Sequence, residues 1–195
     1  MVMTQPLPPI KQPNVIKIIS GEWHVCTQPG EMLMTILGSC IAACIRDPFC
    51  RIGGMNHFLL PGEEESDSKV SESARYGVFA MESLINGILT AGGCRNRLEI
   101  KVFGGGNVLR NSTRIGSKNA SFIRQFLAKE GYTITREDME GDTPRKVHYY
   151  PDTGKVMLRR LPSTTDIEVA KELQDEERYR RALLHKPVVG NIDLF

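Results

Sequence analysis

The stretch MLMTILGSCIAACIR, residues 32–46, decides the fold. Met32 to Leu37 and Ile41 to Arg46 are short, mainly apolar runs, and Gly38-Ser39 separates them. Runs this short, bounded by turn residues, read as β-strands. A glycine between them permits the tight turn that joins such a pair. Asp47-Pro48 then marks a turn, and Arg51 to Leu60 is a further strand candidate closed by Pro61-Gly62.

Working outward, Val15 to Ile19 is a short β-like run behind a lead-in of Pro- and Gln-containing sequence, expected to be flexible over residues 1–14. Glu63 to Ser73 reads as an exposed loop. The periodicity of Val78, Met81, Leu84, Ile85, Ile88 and Leu89 predicts a helix over Ala74 to Ala91, with Ser73 as its cap and Gly92-Gly93 as its stop. Leu98 to Phe103 is a strand that runs into Gly104-Gly105-Gly106. Phe122, Ile123, Phe126 and Leu127 predict a second helix over Lys118 to Glu130, capped by Ser117 and ended by Gly131. Tyr132 to Thr135, Lys146 to Tyr150 and Lys155 to Arg159 are further strands, the last two forming a hairpin over Pro151-Asp152-Thr153-Gly154. This order implies an α/β sandwich with a mixed sheet and two main helices, not a doubly wound parallel sheet. The domain spans residues 15–161. After Leu161 the composition changes, and 162–195 reads as a charged extension, helical or flexible, weighed mainly as a polar tail.

Composition narrows the function. The chain has 195 residues, room for one domain and an appendage, with 25 Lys and Arg against 23 Asp and Glu. A formal charge of +2 gives no global argument for nucleic acid or an anionic membrane as partner. No apolar run approaches the roughly 18 residues of a membrane helix, so no membrane insertion is expected. The N-terminus does not read as a secretory signal. Five cysteines, an odd number, then point to reduced thiols and a cytoplasmic location. Without a CxxC pair a structural zinc site is not expected, and a Cys40, Cys44 and His57 metal site lacks a fourth ligand. No metal and no organic cofactor is expected.

Two segments can carry chemistry. In Thr35-Ile36-Leu37-Gly38-Ser39-Cys40 a strand enters a Gly-Ser turn and presents a cysteine. Backbone N–H groups at Ser39 and Cys40 could hold an oxyanion formed when that thiol attacks a carbonyl. On this segment alone, a small buried thiol beside a turn is the more economical reading. The second segment is GGMNHFLLP, residues 53–61. Antiparallel pairing of its strand with that of Cys40 would bring His57 to the thiol, take its proton and hold a thiolate–imidazolium pair. A lone histidine in an apolar strand is otherwise a buried structural residue. Gly104-Gly105-Gly106-Asn107 fails the dinucleotide pattern and has no GK[ST] after it, so it reads as a loop allowing close backbone approach.

Taken together the segments resemble the CheD family of chemoreceptor glutamine deamidases. The resemblance rests on Leu37 to Cys40, Gly53 to Pro61, Arg75-Tyr76-Gly77, Ala80-Met81-Glu82, Lys101 to Gly105 with Asn107, Ile115-Gly116 with Asn119, and Pro151 to Gly154. It covers roughly Val15 to Leu161. It implies a three-layer α/β sandwich like the catalytic domain of cytotoxic necrotizing factor toxins. It also implies hydrolysis of glutamine side-chain amides to glutamate on methyl-accepting chemotaxis receptors, with loss of ammonia through a thioester.

By motif position Cys40 would be the nucleophile and His57 the general base and acid. Thr35 is the candidate third member, orienting His57, although a one-residue slip in register would select Met34 on the opposite strand face. Arg75, Tyr76 and Asn107 are candidates for substrate or supporting contacts; a solvated Arg75 and a turn-stabilising Asn107 are the plainer readings. The partners implied are the cytoplasmic helices of the receptors and, in some members, a CheC-type phosphatase. Two alternatives stay open: an interaction protein regulating that phosphatase, and another thiol reaction such as transglutamination or amide or ester hydrolysis.

Overall fold

The computed structural model describes residues 13–61, 67–108, 114–162 and 167–185. The elements run β1 (Asn14–Lys17), β2 (Trp23–Cys26), β3 (Glu31–Leu37), β4 (Ile41–Asp47), β5 (Ile52–Asn56), α1 (Asp67–Thr90), β6 (Glu99–Gly104), α2 (Ile115–Lys129), β7 (Ile134–Met139), β8 (Arg145–Tyr150), β9 (Lys155–Arg160) and α3 (Ile167–His185), with a turn of 3₁₀ helix at Arg95–Arg97. Among the described residues the strands form two sheets, β1-β3-β8-β9 and β2-β5-β4-β6-β7. Each contains one parallel pair, β1 with β3 and β6 with β7, so both are mixed.

The α/β class with mixed pairing is as expected; the division into two face-to-face sheets explains the uninterrupted apolar runs. On β4, Ile41, Ala43 and Ile45 join the core under α1 and α2, with Met81, Leu84, Ile88, Ile123 and Leu127. The alternate residues Ala42 and Cys44, with Cys40 just before them, face Leu33, Leu37, Val147 and Tyr149 of the other sheet. A strand covered on both sides has no solvated face and needs no polar alternation.

The outer face of the first sheet carries α3. Ile36 and Leu161 meet Val169 and, half-buried, Leu173 there. Two apolar side chains contribute at most about 1.5–3 kcal/mol each on burial, while ordering a helix costs about 1–2 kcal/mol per residue. The helix therefore depends on polar anchors and on pairs along its own surface: Arg178 with Asp175, and Arg180 and Arg181 with Glu177. The charged extension is thus a docked helix rather than a polar tail over these residues; 163–166 and 186–195 lie outside the described residues, as do 1–12 of the expected lead-in.

Local expectations shift in three places. Helix α1 starts at Asp67, within the expected loop, so Ser73 is internal, and its hydroxyl donates to the Pro61 carbonyl at 2.6 Å instead of capping. Helix α2 starts at Ile115, and Ser117 in its first turn accepts from Asn107 at 3.0 Å. Strand β2, with exposed Trp23 and half-buried His24, has too short an apolar pattern to signal itself and pairs at the edge against β5.

Candidate active site

Strand β3 sets the first coordinate of the site. Its register places Leu33, Thr35 and Leu37 toward the opposite sheet and Ile36 toward α3, so Thr35 points inward and Met34 outward. The second coordinate comes from β4 and β5. Their antiparallel register, Cys44 opposite Met55, continues to a bridge between Ile41 and Phe58. That register sets His57 opposite Ala42 and diagonal to Cys40, and alanine leaves the imidazole room.

The turn carrying Cys40 is suspended by main-chain bonds. Gly105 N–H donates to the Cys40 carbonyl and Gly106 N–H to the Gly38 carbonyl, both at 2.8 Å. Gly104 has φ +112, and a Cβ there would collide with the Cys40 carbonyl oxygen. The three glycines are therefore the close-approach loop expected from the sequence. Asn119 clamps the other side, donating to the Ser39 carbonyl at 2.8 Å and accepting from Leu60 N–H at 3.0 Å.

Thr35 Oγ1 donates to the Ile18 carbonyl at 2.7 Å and lies 2.8 Å from His57 Nδ1. Its one proton is committed to Ile18, so toward His57 it accepts. Nδ1 therefore carries the hydrogen and Nε2 the lone pair. Ser20 Oγ stands 3.2 Å from that Nε2 and 3.6 Å from Cys40 Sγ. Its hydroxyl donates to Nε2 and is placed to accept from the thiol. Ser20 is held there because Gly21 N–H donates to the His57 carbonyl and His57 N–H to the Glu22 carbonyl.

The remaining wall comes from α3. The Glu176 carboxylate accepts from Ser39 N–H at 2.9 Å, from Gly38 N–H at 3.3 Å and from the Ser39 hydroxyl. Tyr179 meets Tyr76 through a hydroxyl–hydroxyl bond, and Glu172 pairs with Lys17 Nζ at 2.8 Å. Cys40, His57 and Thr35 are 0%, 1% and 0% exposed beneath this cover.

Burial controls the protonation states. It pushes the Cys40 thiol well up, and the nearby Glu176 charge adds to that, while the Ser20 bond opposes it. Burial pulls His57 down to about 4, opposed by its bond to the Ile18 carbonyl and reinforced by Lys17. Burial also raises Glu176, against the donors that hold it. In this covered arrangement burial favours the neutral thiol and the neutral imidazole over the ion pair expected from the sequence.

The other expected contacts divide. Tyr76 reaches the site's edge through Tyr179. Arg75 is exposed. Asn107 supports the glycine loop, donating to Ser117 with its backbone N–H on the Gly141 carbonyl at 2.7 Å. Of the expected oxyanion donors, Ser39 N–H points into the site, and the N–H that joins it on the Glu176 carboxylate is that of Gly38 rather than the expected Cys40. Among the described residues the grouping of donor atoms close enough for a metal is His24, Cys26 and Glu31, which includes none of Cys40, Cys44 and His57.

A family model described as CheD chemotactic sensory transduction matches residues 59–160. A protein of Rhodopseudomonas palustris named "Probable chemoreceptor glutamine deamidase CheD" is 49% identical over 181 residues, covering 92% of this chain and 84% of that one. This chain belongs to the CheD family. A Hahella chejuensis protein of the same name is 47% identical over 182 residues, with 92% and 84% covered. Another, from Hydrogenovibrio crunogenus, is 42% identical over 195 residues and covers 99% of this chain and all of its own. No described helix is long and apolar enough to cross a membrane.

Proposed function

We infer that this CheD chain is a cysteine-dependent protein-glutamine deamidase acting on the cytoplasmic helices of chemoreceptors. One observation carries the reading: the line of bonds from Cys40 through Ser20, His57 and Thr35 to the Ile18 carbonyl, with backbone N–H donors at Ser39 and Gly38 beside the thiol. The names of the CheD relatives agree with it.

The reaction follows from these roles. The Cys40 proton passes by way of Ser20 to His57 Nε2 as sulfur bonds to the glutamine Cδ. The carbonyl electron pair moves onto oxygen, held by the N–H groups of Ser39 and Gly38. The oxygen pair returns as the C–N bond breaks, and His57 gives its proton to the departing nitrogen, releasing ammonia and leaving a thioester. Water adds with its proton going to His57. The C–S bond then breaks, and the thiol is restored with glutamate as product. Thr35 holds the ring so that Nε2 is the basic atom throughout.

The test is incubation of a receptor cytoplasmic fragment with the protein and with Cys40→Ala, read by peptide mass spectrometry and an ammonia assay. Deamidated glutamines with the first and not the second are expected; equal modification by both removes Cys40 from the mechanism. A CheC-type phosphatase as a further partner rests on the family resemblance, and a pull-down with a purified phosphatase of that type tests it.

A further inference from the structure

We propose that α3 is an intramolecular occupant of the substrate site, with Glu176 standing where the carboxylate of a newly formed glutamate stands after deamidation. The proposal rests on the deamidase reading of Cys40 and adds what that reading lacks: a location for the substrate side chain and a cover that must leave before a receptor can enter.

The geometry carries it. A glutamate carboxylate is the product of glutamine hydrolysis and nearly matches the carboxamide in shape. Glu176 Oε1 takes Ser39 N–H and the Ser39 hydroxyl, and Oε2 takes Gly38 N–H, beside the Cys40 thiol. These are the donors that would receive the carboxamide oxygen of a substrate. Glu176 is presented from a helix, as a receptor glutamine would be, and it is only 6% exposed. The fit extends to backbone: a Cβ at Gly38 would strike Leu173 and Glu176, and one at Gly21 would strike Tyr179.

The cover is also removable. Among the described residues its apolar footing is Val169 and Leu173, and its other anchors are polar: Glu172 on Lys17, Glu176 on the turn and Tyr179 on Tyr76. Elements with few buried apolar contacts open at the low end of a protein's stability range. With α3 docked, Cys40 is enclosed and its thiolate disfavoured; with α3 released, the turn's donors and the thiol face solvent together.

The full-length chain carrying Glu176→Gln tests the placement, because the amide so installed is then a substrate in cis. Peptide mass spectrometry is expected to find position 176 converted back to the carboxylate, and to find the amide intact in the same chain carrying Cys40→Ala. An amide that survives beside an intact Cys40, while the wild type deamidates a receptor fragment, overturns the placement and leaves the deamidase reading standing. Survival with no receptor deamidation overturns both. Conversion in both backgrounds is spontaneous hydrolysis and also overturns the placement. Val169→Ala, which trims the uncharged footing of the helix on Ile36 and Leu161 and alters no charge near the thiol, tests the cover independently. Iodoacetamide is expected to alkylate Cys40 about tenfold faster in this variant, as the open fraction rises. An unchanged rate in a variant with the wild-type melting midpoint overturns the cover.

Discussion

Thr35 Oγ1 sits 2.8 Å from His57 Nδ1 and gives its own hydrogen to the Ile18 carbonyl 2.7 Å away. A hydroxyl so committed can only accept from the ring, which fixes the tautomer of a fully buried histidine. Thr35→Val keeps the shape and removes both bonds. It is expected to lower kcat by about 10–100-fold through loss of ring orientation, and to cost about 1–3 kcal/mol in denaturant unfolding because buried partners go unsatisfied. Thr35→Ser should restore most of both.

Ser20 is the bridge between sulfur and imidazole. Ser20→Ala should slow deamidation by about 10–100-fold while leaving the melting temperature within a few degrees of wild type. The pH profile separates relay from structure. A relay loss lowers the rate without moving the profile's limbs, whereas a moved limb would mean that Ser20 tunes a pKa instead.

Acid stability should report His57. Its folded-state pKa of about 4 lies below the ordinary 6.5, so the unfolded chain binds the proton more readily. The stabilisation from a neutral His57 is complete above about pH 6.5 and is lost as pH falls toward 4, a span of order 3 kcal/mol. Asp47 adds a second, more acidic step. Its bonds from Arg97 hold its carboxyl below the usual range, so its contribution is present above about pH 4 and is lost further down. Chemical unfolding at several pH values should show the first decline in wild type and a flatter line in His57→Gln.

Gly104→Ala places a methyl group against the Cys40 carbonyl at a φ of +112. The strain should cost about 1–3 kcal/mol and displace the nucleophile turn, so deamidation is expected to fall more steeply than stability. A Gly131→Ala control, with φ +76 but nothing near its Cβ, separates the two effects. It should lose stability and keep activity.

The grouping of the candidate site residues was legible because it is local in sequence and constrained by strand geometry. The Gly38-Ser39 turn, the apolar runs beside it and the antiparallel return to His57 together forced Cys40 and His57 into one neighbourhood, and the inward register of β3 selected Thr35 over Met34. Ser20 was not legible: it lies in a turn between edge strands, and its position is set by hydrogen bonds to His57 and Glu22 that leave no pattern in the sequence. Glu176 was hidden for a different reason. Val169, Glu172, Leu173, Glu176 and Tyr179 do recur at helical spacing, but only two of them are aliphatic, so the stripe drowned in the surrounding charges. The second sheet was concealed by a short β2 and by the parallel pairing of β1, which no hairpin signal announces.

The Cys40 turn hangs from the backbone amides of Gly105 and Gly106. Main-chain donors have no rotamers to freeze, so with Asn119 as the clamping side chain the sulfur is located at little entropic expense. Trp23, Phe79 and Tyr76 line the cavity beside His57, and exchanging them is expected to change which polypeptides are deamidated while the thiol stays in place. A sulfur placed by main chain in this way tolerates drift in the surrounding sequence.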